Sequence, residues 1–317
     1  DDARVVTKIY PIHAAKVFKT GSPRADLWSE RLADYWPRPK TMPTRPYLLV
    51  ATNFSANESV PLHERIRIDK EAGYFSRNPK LFQKHFQSNA EDSLMTFRFI
   101  DAIKFLAQEQ SSFDIVVRPH PKESIDAWEI YLGDVPNVFV RREGSITPWV
   151  RHAFAVMHNG CTTALESLVQ GTPVISWVPF VRRTRGSLAN SLGFVVSTKK
   201  QLLAKVLELH GASSPGSHGK EPVLPELVKR KIYIDREQLA AEKMIEVWEN
   251  LAVAEEKSPK WRTFIFFHRI RQEIRRVETF VRVRLLGRYV AKPRDQKFPP
   301  IDSKALSLRM NNLQTVL

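Results

Sequence analysis

The sequence predicts an α/β fold: a doubly wound parallel sheet with helices on both faces. Two observations carry this. Six short apolar runs recur along the middle of the chain, at 47–54, 113–121, 137–141, 154–158, 172–178 and 193–197. They are continuous rather than alternating, as strands covered on both faces must be, and helical patterns separate most of them.

Before the first run, RVVTKIY (4–10) and AKVFKT (15–20) read as extended, with a turn at GSPR (21–24). PRPKTMPTRP (37–46) holds four prolines and reads as a stiff linker, because proline fixes φ and removes a donor. YLLVATNF opens the sheet. A helix is expected over 91–110, with Phe99, Ile103 and Leu106 on one face. The strand FDIVVRPHP follows, then a short helix at 124–133, the strand NVFVR and a helical turn at 148–152. The strand FAVMH leads into a helix over 161–170 that Gly171 stops. After TPVISWV and GFVVS, Thr198 starts another helix, with Gln201 three residues on as a capping box. GASSPGSHGKEP (211–222) is a flexible loop by composition, and 236–252 a late helix. The expected division is 1–45 as the remnant of a preceding domain and its linker, 46–253 as the ligand-binding domain, and 254–317 as a basic tail.

Composition narrows the classes. The chain has 317 residues, 49 Lys+Arg against 34 Asp+Glu, a formal charge of +15 and one cysteine. At about 150 residues per domain the length fits two domains. The single Cys161 excludes internal disulfides and multi-cysteine zinc sites, and reads as a small buried hydrophobe. No apolar run approaches the roughly 18 residues of a membrane span. The start carries no initiator Met and no signal-peptide pattern, and an N-terminal part is expected to be missing. Lys257–Lys297 contains thirteen Lys/Arg and three acids, a net +10, which leaves +5 for the rest. The basicity is therefore a property of the tail.

Three strings carry candidate chemistry. In MHNGCTTALES (157–167) a strand ends at His158, Asn159-Gly160 turns the chain, and Thr162 and Thr163 open a helix whose first turn also holds Glu166. Free amides and a partial positive charge at such a start suit a phosphate; the plainer reading is a turn followed by an N-cap. In VVRPHPKES (116–124), Arg118, His120 and Lys122 leave the end of a central strand. The prolines around His120 hold its imidazole in a fixed direction; a surface histidine in a rigid turn is the plainer reading. In RREGSITPW (141–149), Glu143, Gly144 and Ser145 form a tight loop suited to a base or ribose. Asn53 and Asn190 are possible cleft residues. Arg182, Arg183 and Arg185 face either an anionic substrate or solvent. No His or carboxylate set has metal-ligand spacing, so no metal is expected.

Taken in order, GSPRADLW, YLLVATNFS, VVRPHPKES, REGSITPW, HNGCTTALES and GTPVISW resemble the bacterial surface carbohydrate biosynthesis family. Its members are GT-B glycosyltransferases similar to the retaining β-Kdo transferases of lipopolysaccharide and capsule assembly. The resemblance covers about residues 20–200. It implies two Rossmann-like domains, the C-terminal one binding the nucleotide-sugar and the N-terminal one mostly absent here. It implies that His120, Thr162 and Thr163 hold the phosphate of a CMP-sugar, with CMP-Kdo as the donor and His120 catalytic. Glu143, Gly144 and Ser145 match the loop near the nucleotide. It further implies no cofactor and no metal, and a glycan or glycolipid acceptor.

In the tail, Phe267, Ile270, Ile274, Val277 and Val281 form one stripe, with Arg269 and Arg276 opposite. A basic amphipathic helix of this kind suits an anionic membrane surface, here through 260–288, and a cytoplasmic, peripheral location on the inner membrane face. The plainer reading is a helix docked on protein. Residues 292–317 lack a strong pattern and read as disordered. Other readings are transfer of glycerol- or ribitol-phosphate from a CDP donor, a UDP-sugar enzyme related to 2-epimerases, a scaffold without activity, and nucleic-acid binding through the tail. The last is opposed by the absence of an RNP, KH or zinc-finger motif.

Overall fold

The computed structural model describes residues 7–9, 17–76, 78–182, 188–212, 226–229, 237–250, 266–267, 270–271, 273–274, 277, 281 and 303–316. Its centre is one six-stranded, wholly parallel sheet. The strands are β1 Tyr47–Ala51, β2 Asp114–Arg118, β3 Val138–Val140, β4 Ala155–His158, β5 Val174–Trp177 and β6 Phe194–Val196. Each lies inside one of the six apolar runs. Their order is β3-β2-β1-β4-β5-β6, so the chain winds outward from β1 to one edge and then resumes on the other side at β4. This is the Rossmann-like order, with its switch point between β1 and β4. Ala51 pairs with both Arg118 and His158, so the carboxyl ends of β1, β2 and β4 are level.

The main helices are α1 Pro23–Asp26, α2 Leu62–Glu71, α3 Pro79–Glu109, α4 Ile125–Leu132, α5 Thr147–His152, α6 Thr163–Val169, α7 Lys199–Ala212, α8 Ala240–Asn250 and α9 Ser303–Val316. Alternation along β1 divides the core. Leu48 and Val50 join Phe99, Ile103 and Leu106 of α3, Trp128 of α4 and Leu202 of α7. Tyr47, Leu49 and Ala51 meet Trp149 and Val150 of α5 on the other face. Ala164 of α6 packs on Val174 of that same side. Burying these side chains stabilises the domain by about 1.5–3 kcal/mol for each large one. At the β6 edge, Phe194 and Val195 are exposed.

The capping box forms. Gln201 Oε1 accepts from the amides of Ser197 (3.1 Å) and Thr198 (3.2 Å), and Thr198 Oγ1 accepts from Gln201 N (3.3 Å). Residues 37–46 form no regular element, as a proline-rich linker should.

Four differences from the sequence reading stand out. Residues 7–9 are helical where an extended stretch was expected. The helix expected from 91 begins at Pro79, because Asn78 caps it by accepting from Lys80 N (3.1 Å) and proline suits the first helical turn. The stripe that its early turns turn inward is largely polar, His85, Ser88, Asn89 and Asp92, which hid them. Likewise α2, which buries no residue, went unseen. Finally, 303–316 is helical and packs against the 3₁₀ turn Glu30–Tyr35, a tertiary contact that local pattern does not announce.

In the tail, Phe267, Ile270, Ile274, Val277 and Val281 are helical and exposed. Arg269 and Arg276, most of the loop read at 211–222, and Arg183 and Arg185 lie outside the described residues. No helix among the described residues is long and apolar enough to cross a membrane.

Candidate functional site

The carboxyl ends of β1 and β2 open into two loops that knit together. Ser59 N donates to Lys122 O (3.0 Å), Ser124 N to Asn57 O (2.6 Å) and Thr52 N to Arg118 O (3.3 Å). Between the loops lies a pocket of 340 Å³ lined by Asn53, Phe54, Ser55, Glu58, His120, Lys122 and Glu123. Its volume falls at the lower end of the roughly 300–1,000 Å³ of ligand sites. Three residues singled out by sequence, Asn53, His120 and Lys122, thus share one wall-to-wall space.

His120 is held by its own turn. Its Nδ1 accepts from Lys122 N (3.2 Å), and its carbonyl accepts from Glu123 N (2.8 Å). An imidazole nitrogen that accepts carries no proton, so in the neutral ring the proton sits on Nε2. The ring's donor is then Nε2, on a residue that lines the pocket.

Glu123 is the residue that sequence reasoning missed. It is 1% exposed. Its Oε2 accepts from Thr52 Oγ1 (2.5 Å) and Trp128 Nε1 (2.8 Å), and Oε1 accepts from Phe54 N. Burial pushes its pKa up to about 7, against the pull of those donors. Its string was singled out, but nothing in the period of a sequence separates a buried glutamate from an exposed one. A tryptophan five residues on was the available signal.

Arg118 has a different task from the one expected. Only 7% exposed, it stacks on Trp149 (5.1 Å) and donates to the carbonyls of Glu143 (2.8 Å) and Gly144 (2.8 Å). It therefore shapes the loop after β3, and burial lowers its pKa to about 10. On that loop Glu143 is exposed and accepts from Thr41 Oγ1, and Gly144 has φ +62° with open space where a Cβ would lie. Ser145 Oγ accepts from Thr147 N (3.3 Å) at the start of α5. None of the three lines the 340 Å³ pocket.

The turn after β4 is bound up in itself. His158 is 0% exposed, and burial pushes its pKa down to about 3. It accepts from Cys161 N at Nδ1 (3.4 Å) and lies 3.0 Å from Ser176 Oγ through Nε2; Ser176 Oγ donates on to Leu192 O (2.8 Å). Asn159 Nδ2 donates to Trp177 O (2.7 Å), and Gly160 N to Asn190 Oδ1 (2.6 Å). Thr163 is buried with its hydroxyl 3.0 Å from Cys161 Sγ. Glu166 is 2% exposed, and burial raises its pKa; its Oε1 has no hydrogen-bond partner among the described residues. The structure therefore places His158, Asn159, Thr163 and Glu166 in the core rather than on a ligand surface. Asn190 braces the turn. Thr162 is exposed and makes no capping hydrogen bond. Cys161 is buried, and its thiol pKa is raised, as its reading as a packing residue requires.

Arg182 also changes role. Rather than facing solvent or substrate, its guanidinium is buried against Asp92 of α3, whose carboxylate also accepts from Ser55 N (3.2 Å) and Ser55 Oγ. An ion pair out of water is retained only with such added hydrogen bonds. It ties the β5 exit and α3 to the pocket wall.

No protein-family model matches the sequence, and no curated protein matches it. Among solved structures the chain is similar to one from Listeria monocytogenes provisionally assigned as a UDP-N-acetylglucosamine 2-epimerase, at 13% identity and a TM-score of 0.43. The likeness covers 77% of this chain and 56% of that one. The chain therefore spans little more than half the length of that structure.

Proposed function

We propose that the chain is the donor-binding part of a glycosyltransferase. It takes a CMP-sugar, Kdo or a related acidic sugar, toward a surface polysaccharide or lipid-linked acceptor at the cytoplasmic membrane face. The observation that carries this reading is the polar pocket at the carboxyl ends of β1 and β2, beside the switch point of a Rossmann-like sheet. Ligands of such sheets bind beyond the strands' carboxyl ends at the switch point, which this pocket adjoins. His120 supplies a fixed N–H, Lys122 a positive charge and Asn53 an amide.

As the bond between sugar and phosphate breaks, negative charge grows on the nucleotide phosphate. Donors already in place stabilise it without reorganising, and losing one typically costs about 10²–10³ in rate. His120 has this role, and the exposed hydroxyl of Thr162 is the second donor that the family resemblance assigns. The exposed stripe at Phe267, Ile270, Ile274, Val277 and Val281 favours membrane placement of the basic tail.

Calorimetric titration of the whole chain with CMP, CDP, UMP, UDP and GDP tests the donor site. CMP is expected to bind best, and at least tenfold more weakly to His120→Ala. Preference for CDP redirects the reading to glycerol- or ribitol-phosphate transfer, and preference for UDP to a UDP-sugar enzyme. A folded chain that binds none of the five rejects it.

A further inference from the structure

The hairpin of α2 and α3 carries a cluster of aromatic rings at its turn. Residues 72–90, AGYFSRNPKLFQKHFQSNA, hold three cations (Arg77, Lys80, Lys84) and no acid. Arg77 lies outside the described residues; Lys80 and Lys84 are exposed. Around them Tyr74 is 54% exposed, and Phe82 and Phe86 are each 42% exposed. These rings are arranged as a set. Phe75 packs edge-on against Tyr74 (5.4 Å) and Phe82 (5.2 Å), and Phe82 meets Phe86 at 4.8 Å. Burial lowers the pKa of His85 beside them, which favours its neutral ring.

Exposed rings prefer an apolar environment, and cations flanking them prefer negative charge. Tyrosine and phenylalanine interleaved with lysine, with no acid over nineteen residues, match the chemistry of an anionic bilayer surface, where rings enter the headgroup boundary and lysines pair with phosphates. A second copy of the chain is a poorer match, since equal positive tips repel.

We propose that the tip of this hairpin, Tyr74 to Phe86, docks on an anionic lipid surface. This inference rests on neither the donor-site reading nor the tail. The hairpin is joined to the pocket rim, where Arg65 of α2 pairs with Glu58 and lies 3.4 Å from His85 of α3. Docking at the tip thus holds the pocket at a set distance from the lipid surface.

Flotation of the whole chain with vesicles of phosphatidylcholine alone, or mixed with phosphatidylglycerol, tests it. Three variants are compared with wild type: F82S/F86S, K80E/K84E and, in the tail, I270S/I274S. Both hairpin variants are expected to bind the anionic vesicles about tenfold more weakly while keeping the wild-type circular dichroism and melting profile. The tail variant sets the tail's share separately. A dye on Gln83→Cys, selective because the natural Cys161 is buried, is expected to shift to the blue on anionic vesicles only. Equal flotation of wild type and both hairpin variants, with an unshifted dye, overturns the proposal. So does a self-association that F82S/F86S abolishes in a chain that binds no vesicle.

Discussion

The loops after β2 and after β4 both leave level strand ends beside β1, and both end their strands with a histidine nearby, yet they do opposite things. After β2, two prolines hold the chain out and His120 lines an open pocket. After β4, His158 turns inward, and its ring is consumed by Cys161 and Ser176. The difference lies in where the histidine stands. His158 is the last residue of its strand and inherits the burial of the sheet; His120 stands two residues beyond Arg118, clear of it. A histidine at a strand's carboxyl end is thus a ligand candidate only once the strand has ended.

The largest effect should separate the two histidines. His158→Ala removes a buried polar hub and is expected to destabilise the domain by about 3 kcal/mol in urea unfolding. His120→Ala should cost no more than about 0.5 kcal/mol. Equal costs would erase the contrast.

Acidity sharpens it next. The pKa of His158 is lower folded than unfolded, so its stabilising contribution is present above the unfolded value and lost as pH falls. Between about pH 6.5 and 5 wild type should lose about 2 kcal/mol relative to His158→Gln. Glu123 works in the opposite sense. Its pKa is raised to about 7, so its contribution is full below about pH 4.5 and is lost as pH rises through 7. Unfolding the two proteins across this range checks the sign, because the glutamate is common to both and cancels. Parallel curves would show that His158 carries no such linkage.

The smallest effect distinguishes neighbours. Thr162→Ala should weaken CMP binding about threefold and leave stability unchanged, since its hydroxyl is exposed. Thr163→Ala should leave CMP affinity unchanged and cost about 1 kcal/mol, since its hydroxyl is buried beside Cys161. Calorimetry and melting on the same two samples decide between them.

The sheet was legible because a strand buried on both faces leaves a continuous apolar run, and all six runs became strands. The first half of α3 and all of α2 were not, because a helix with no buried apolar stripe has no hydrophobic period to read. Of the site, His120, Lys122 and Asn53 were found because proline and polar residues at a strand's end are local signals. Glu123, Arg118 and Arg182 were missed or misassigned because charge in sequence reads as exposure. Only their partners, Trp128, Trp149 and Asp92, reveal that they are buried.

One helix links the two surfaces. At about 1.5 Å per residue, the 31 residues of α3 make a rod about 46 Å long. From Met95 onward its apolar face lies in the core, and ahead of that Asn89 and Asp92 are buried as well. Asp92, one turn before Met95, is fully buried and holds Ser55 of the pocket wall. Ser55 at the pocket wall and Arg182 at the β5 exit thus share one carboxylate on this rod as their anchor, so the pocket wall is tied through that residue to the longest helix of the described residues.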